Sequence, residues 1–152
     1  MTLLVAAIVI ALDQLTKYLV IEHLQDQGPV DVIGEVVKFN LVRNPGAAFS
    51  LGTGYTIIFS FLALTVAIVI VVTARKIGSV AWAIALGGIL GGALGNLIDR
   101  IFREPSIFQG HVVDFIQLPY FAIFNVADIF VTCSAILIAL LTLRGVPFSG
   151  SK

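Results

Sequence analysis

The segment HVVDFIQLPYFAIFNVADIF, residues 111–130, holds two carboxylates in apolar surroundings. Asp114 stands among Val112, Val113, Phe115 and Ile116, and Asp128 lies between Ala127 and Ile129 at the head of a long apolar run. Two carboxylates a few ångströms apart do not both ionise easily. They share a proton, so that one serves as a base and the other as an acid. That division suits amide hydrolysis by water: the charged Asp takes a proton from water, the protonated Asp polarises the scissile carbonyl, and the amine leaves with a returned proton. No metal and no nucleophilic Ser or Cys is needed. The sequence has no G-x-S-x-G, no H-E-x-x-H and no glycine-rich phosphate loop, which removes the commoner alternatives.

Further polar residues interrupt other apolar stretches. Asp13 and Lys17 are spaced i,i+4 and can pair on one helix face. Asn96, Asp99 and Arg100 cluster in GNLIDR, where helix-terminal hydrogen bonds and an interfacial anchor are the plain alternative to function. Asn125 precedes Asp128 by one helical turn, and either can cap a helix. Capping accounts for one of them well, for both poorly, and for Asp114 not at all. His23 and His111 lack a Cys, a Glu or a second His at ligand spacing, so no metal site is expected. The single Cys133 excludes an internal disulfide and reads as a small packing residue in an apolar helix.

These residues need elements to hold them, and the composition says where those elements lie. Of 152 residues, 59% are hydrophobic and only 12% charged, against about 25% charged in soluble domains. Mean hydropathy is +1.05. The chain therefore reads as an integral membrane protein forming one domain over residues 1–152, with no cofactor expected. Its zero net charge gives no electrostatic case for nucleic acid. Four stretches reach the ~20 apolar residues that cross a bilayer: about Leu3 to Ile21, Tyr55 to Thr73, Val80 to Ile101 and Ala122 to Leu143. The first lacks a basic leader and a small-residue cleavage site, and is read as a retained helix.

An even number of spans puts both termini on one side. Basic residues divide evenly between the two sides and do not orient the chain, but the short basic turn ARKIGS between the second and third spans is read as cytoplasmic. All the acids fall in or toward the opposite side, so the antiparallel topology brings Asp13, Asn96, Asp99, Asp114 and Asp128 to one depth. Buried ionisable residues at such a depth mark function by default. The connections on that side, about 22–54 and 102–121, are long and too apolar for disorder. Val37, Phe39 and Leu41 alternate with Lys38, Asn40 and Val42, which predicts a strand in a small sheet outside the membrane, with a turn at Ile33–Glu35. The small-residue run GGILGGALG, residues 87–95, predicts close helix–helix packing. Residues 105–110, PSIFQG, are expected as a lid over the site, and the terminal PFSGSK as a frayed tail.

Five motifs together resemble a known family. DQLTK (Asp13–Lys17), RNPGAAFSL (Arg43–Leu51), GNLIDR (Gly95–Arg100), HVVDF (His111–Phe115) and FNVAD (Phe124–Asp128) are similar, in order and spacing, to those of lipoprotein signal peptidase, signal peptidase II. The resemblance implies an aspartic endopeptidase of the bacterial inner membrane. Such an enzyme removes the signal peptide from prolipoproteins, cutting just before a Cys that already carries diacylglycerol. It implies Asp114 and Asp128 as the catalytic pair, with Asn44 and Arg100 holding the substrate backbone. Asn96 and Asn125 would orient the pair, Asp13 would pair with Lys17 to fix the first helix, and Asp99 would be a supporting position. It also implies four transmembrane helices with an extracytoplasmic β-cradle and a short interfacial helix. The expected partners are the diacylglyceryl-modified prolipoprotein and membrane lipid, and the working unit is expected to be a monomer. Asp114 and Asp128 are close in sequence, which leaves little room for a long flap between them. The competing reading is a small proton- or ion-coupled transporter subunit; acids confined to one side argue against it. A non-catalytic lipid-binding or assembly factor is the third reading.

Overall fold

In a computed structural model the chain is described over residues 1–46 and 55–149. The elements follow in the order α1 (Thr2–Leu24), β1 (Val30–Ile33), β2 (Val37–Asn44), α2 (Thr56–Thr73), α3 (Val80–Phe102), β3 (Val112–Gln117) and α4 (Val126–Leu143), with a 3-10 turn at Ala74–Lys76. All four α-helices are long and apolar enough to cross a membrane. In α2 a β-branched sequence, TIIFSFLALTVAIVIVVT, is nonetheless helical. In hydrocarbon each backbone N–H and C=O must be satisfied within its own segment, and that requirement overrides β-propensity. Leu3, Leu4, Ile8, Ile58, Val72 and Leu143 are exposed on the bundle exterior, as expected of a lipid-facing surface.

The central helix is α3, which packs against α1, α2 and α4. Its glycines make this possible on two faces. A Cβ on Gly91 would stand 2.5 Å from Val9 Cβ and 2.8 Å from the Ala6 carbonyl of α1; one on Gly92 would stand 2.6 Å from the Ala127 carbonyl of α4. Gly87 likewise faces Val5 of α1, and Gly88 faces Ser134 of α4. The expected packing role of the GGILGGALG run is thus observed, with one pair of glycines facing α1 and one facing α4.

At one end of the bundle lies an antiparallel sheet in the order β1-β2-β3. Arg43 pairs with Val113 and Asn44 with Val112, and the register shifts between Phe39 and Val42. Alternation along β3 divides its side chains. Val113 and Phe115 pack against Val20, with Ile21, Leu24 and Phe39 around them. Val112 and Asp114 turn to the other side and line a cleft.

Several details differ from expectation. Helix α4 starts at Val126, not Ala122, because Asn125 caps it and Phe124 instead bridges to Ile116 of β3. Asp128 is accordingly in the first turn of α4 rather than deeper inside it. Of the PFSGSK tail, residues 150–152 lie outside the described residues, while Phe148 is docked rather than frayed: the Gly78 N–H donates to the Phe148 carbonyl, Trp82 Nε1 donates to the Val146 carbonyl, and the Trp82 and Phe148 rings meet edge to face. Cys133 is exposed on the outer face of α4 instead of packing inside. The expected interfacial helix is not among the described residues, and the Ala47–Leu51 part of RNPGAAFSL also lies outside them.

The packing of α3 carries a prediction. Gly91→Ala forces α1 and α3 apart and should cost about 1–3 kcal/mol of stability by overpacking, read as a lowered melting temperature in detergent. Gly28→Ala, where no atom lies within 4 Å of the added methyl, is the control and should melt like the wild type.

Candidate active site

Lys17 is fully buried, and so are Asp13 and Asp99. Its ammonium lies 2.8 Å from Asp13 Oδ2, 2.8 Å from Asp99 Oδ2 and 2.9 Å from Asn96 Oδ1. An ammonium has three hydrogens, and all three find acceptors. Each acid then holds a further element. Asp13 Oδ1 accepts from the Ala127 N–H at the start of α4 at 3.0 Å, and Asp99 Oδ2 accepts from the Val113 N–H of β3 at 3.1 Å. Arg103 Nε donates to Asp99 Oδ1 at 2.7 Å. The expected Asp13–Lys17 pair exists, but it is part of a cluster that joins α1, α3, β3 and α4.

From this cluster two asparagines lead to the acids. Asn96 Nδ2 donates to Asp128 Oδ1 at 2.9 Å. Asn125 Nδ2 donates to Asp114 Oδ1 at 2.7 Å and to Asn96 Oδ1 at 3.0 Å. Asn125 also forms a capping box. Its Oδ1 accepts from the Asp128 N–H at 3.0 Å, and Asp128 Oδ2 accepts from the Asn125 N–H at 3.1 Å. Capping and orientation are therefore one arrangement: the cap of α4 is what fixes Asp128 next to Asn96. On the sheet side, Asn44 Nδ2 donates to Asp114 Oδ2 at 2.8 Å. The β2–β3 register explains this contact, since Asn44 is opposite Val112 and so diagonal to Asp114. Each oxygen of both carboxylates thus accepts one hydrogen bond, from an amide N–H, and keeps lone-pair capacity for a proton or water.

Asp114 and Asp128 line one cleft of ≈ 330 Å³ together with Asn44, Asn96, Arg100 and a wall from Phe121 to Phe124. Asp114 lies in β3, outside the four spanning helices. Burial pushes its carboxyl up to about 6, and the charge of Asp128 acts in the same direction; hydrogen bonds from Asn44 and Asn125 and the charge of Lys17 act against it. Arg100 lies beside the pair. Its guanidinium carbon is 5.7 Å from the centre of the Phe59 ring, and its Nη1 is buried with no hydrogen-bond partner among the described residues. A buried donor of that kind is a ready site for a substrate carbonyl. No group of metal-ligating side chains occurs among the described residues.

Of the nine residues singled out from the sequence, eight are joined in this network by hydrogen bonds or ion pairs, and the ninth, Arg100, lines the cleft beside the pair. Asn44, expected to face substrate, lines the cleft and also donates to Asp114, and Asp99, expected as a supporting position, is the anchor of the ion cluster. Residues 105–110 line no part of the cleft. They are pinned elsewhere: the Phe108 carbonyl accepts from Ser60 Oγ at 2.7 Å, the Phe108 ring stacks on Phe61, and the Gly110 N–H donates to the Arg100 carbonyl. Gln14 and Arg103 were missed. Gln14 Nε2 donates to Asp13 Oδ2 and to the Gly95 carbonyl. Arg103 is spaced i,i+4 from Asp99, a signal the sequence did carry.

Two acids, Asp114 buried and Asp128 half-buried, share a cleft at one end of a four-helix membrane bundle, an arrangement suited to acid–base hydrolysis by a membrane-embedded protein. Comparison with known proteins narrows the class. The family model described as signal peptidase (SPase) II matches residues 5–144. The lipoprotein signal peptidase of Streptomyces griseus subsp. griseus is 49% identical over 147 residues, covering 97% of this chain and 75% of that protein. That of Rhodococcus jostii is 47% identical over 148 residues, with coverage of 97% and 75%. Two solved structures, described as bacterial membrane enzymes, superpose with TM-scores of 0.82 and 0.81 at 30% and 31% identity. The first match covers 99% of this chain and 94% of that one; the second covers 94% and 92%. The chain belongs to the signal peptidase II family.

The two tasks of Asn125 are separable. Asn125→Ala should lower stability by about 0.5–2 kcal/mol through the lost cap and abolish peptidase activity. Asn125→Ser keeps a capping oxygen and should melt near the wild type, yet remain inactive because it reaches neither Asp114 nor Asn96. Full activity in the Ser variant would show that the cap alone matters.

Proposed function

We propose that Asp114 and Asp128 are the catalytic pair with which this aspartic endopeptidase removes signal peptides from bacterial prolipoproteins. The observation that carries the assignment is their shared cleft, in which every amide contact holds a carboxylate as an acceptor. Family membership supports the reaction and offers nothing for the transporter reading.

The geometry supports these roles. The shared proton belongs on Asp114, the carboxyl that burial raises, and Asp128 is the charged base. The scissile carbonyl enters the cleft beside Asp114, which donates its proton to the carbonyl oxygen. Water attacks the carbonyl carbon as Asp128 takes one of its protons, giving a neutral tetrahedral gem-diol. Asp128 then returns that proton to the amide nitrogen, the C–N bond breaks, and a hydroxyl proton goes back to Asp114 as the new carboxyl group forms. Arg100 Nη1 holds a neighbouring backbone carbonyl of the substrate. The substrate arrives sideways from the bilayer as an apolar helix with a diacylglyceryl-modified Cys, and the apolar wall around Phe121 and Phe124 accepts its lipid.

Purified wild type should cleave a diacylglyceryl-modified prolipoprotein in detergent without added metal, while folded Asp114→Asn and Asp128→Asn should lose nearly all turnover. Full activity in either variant would refute the pair. In the same assay kcat/KM should fall as pH rises through the region of 6, where the shared proton is lost; the profile belongs to the pair as a joint titration.

We also place both termini in the cytoplasm of the bacterial inner membrane and the cleft on the extracytoplasmic side. Arg75, Lys76 and Arg144 lie at the end of the bundle opposite the sheet, which supports this orientation. We take the working unit to be a monomer, because one chain carries both acids and a donor to each of their oxygens. In a Cys133→Ser background, Gly28→Cys on intact spheroplasts should react with a membrane-impermeant maleimide. Protection of that thiol until the cells are lysed would invert the topology.

A further inference from the structure

We propose that Lys17 is a positioning residue for the acid pair, acting by fixing the direction in which the Asn96 amide points. This goes beyond tying α1 to its neighbours, and it rests on the reading of Asp114 and Asp128 as catalytic.

The argument is one of hydrogen-bond polarity. An asparagine amide has a donor end and an acceptor end of nearly equal shape, and only its partners decide which way it faces. A lysine ammonium can only donate. With Lys17 Nζ 2.9 Å from one end of Asn96, that end must be the oxygen. The NH2 end is thereby turned onto Asp128 Oδ1 at 2.9 Å. The same Asn96 oxygen accepts from Asn125 Nδ2 at 3.0 Å, so Asn125 also has its NH2 directed inward, where it reaches Asp114 Oδ1 at 2.7 Å. Reversing Asn96 would place its NH2 against both the ammonium and the Asn125 NH2, and its oxygen against the Asp128 carboxylate. One cation outside the cleft thus fixes the polarity of Asn96 directly and supports that of Asn125 through it, two of the three side-chain amides that touch the acids; the third, Asn44, reaches Asp114 from the sheet. This arrangement leaves the proton and the water to the lone pairs the amides do not use.

The surroundings of Lys17 permit a separation of this task from its structural one. The charged groups around it are Asp13 on α1 and Asp99 on α3, with Arg103 on the far oxygen of Asp99. Asp114 of β3 and Asp128 of α4 lie beyond the two asparagines. In Lys17→Met, Asp13 and Asp99 are left sharing one cation. In Lys17→Met/Asp13→Asn the charge is again balanced, because Asp99 keeps Arg103, while the donor to Asn96 is still gone.

The test measures melting and full pH profiles of kcat and KM for wild type, Lys17→Met, Asp13→Asn, Lys17→Met/Asp13→Asn and Asp114→Asn on one diacylglyceryl-modified prolipoprotein. The balanced variant should fold. Its kcat should fall by on the order of 10- to 100-fold with KM nearly unchanged. The declining limb of its kcat/KM profile should move to higher pH, because the Lys17 charge that opposes protonation of Asp114 is gone. A folded balanced variant with kcat within about twofold of wild type overturns the proposal, as does an equal loss in Asp13→Asn alone. Failure of the balanced variant to fold overturns it too, since the role of Lys17 would then not be separable from holding the helices. Turnover by Asp114→Asn instead removes the paired-acid reading itself, which distinguishes the two failures.

Discussion

A lysine ammonium buried among two carboxylates and an amide oxygen is the contact around which α1, α3, β3 and α4 meet at the site. Burying charges is costly, and a pair in a low-dielectric interior stabilises only when its remaining hydrogen-bonding capacity is also met. Here it is met by backbone as well as side chains. The Ala127 N–H and the Val113 N–H, both at Asp oxygens, would otherwise be unsatisfied at a helix start and a strand start. The cluster therefore satisfies the backbone of exactly those two segments that carry the acids. Removing one member would strand a charge and also loosen β3 or α4.

The ion cluster can form only if three helices approach closely at its depth, and the sequence of α3 secures that approach. The glycine pairs facing α1 and α4 are continued by Gly95, where a Cβ would stand 2.6 Å from Asp13 Oδ2. Absence of side chains along two faces of α3 leaves room for carboxylates and amides at its end, so packing and chemistry are successive turns of one helix. The conformational cost of glycine in a helix, about 1 kcal/mol per residue relative to Ala, is tolerable where hydrocarbon leaves the backbone no better alternative than helix.

Much of this was legible before any coordinates. Hydrophobic runs located the four helices to within a few residues, because a bilayer imposes length and polarity together. The polar residues inside those runs were conspicuous for the same reason, and those singled out are joined by hydrogen bonds or ion pairs, Arg100 excepted. The strand at β2 was visible from alternation. What the sequence left open was pairing across long separations. Asn125 and Asp128 read as competing caps, whereas they are the two halves of one capping box. The bond from Asn44 to Asp114 was hidden, because only the register with β3 places the two residues diagonally. PSIFQG read as a lid because it is a loop near the site; its attachment to Ser60 and Phe61 depends on where α2 stands. The start of α4 was misplaced because Phe124 is as apolar as the helix that follows, and only its bridge to Ile116 withdraws it from that helix.

The two acids enter the cleft from unlike supports, and that difference gives the pair its asymmetry. Asp114 projects from a strand whose alternate residues are locked into the packing with Val20 and Phe39, so its orientation follows from the pleat. Asp128 projects from the first turn of a helix, where its own backbone is part of the cap. A strand and a helix end are independent rigid bodies unless something joins them. Asn125 is that joint, because it touches Asp114 with its amide while capping the helix that bears Asp128. The spacing of the acids is thus set by Asn125 at the junction, held by Asn96, together with the Phe124–Ile116 bridge and the ion cluster that holds both segments. The chain from Lys17 through Asn96 and Asn125 converts the buried charge of the bundle into a fixed geometry at its surface, where a peptide bond emerging from the membrane can meet it.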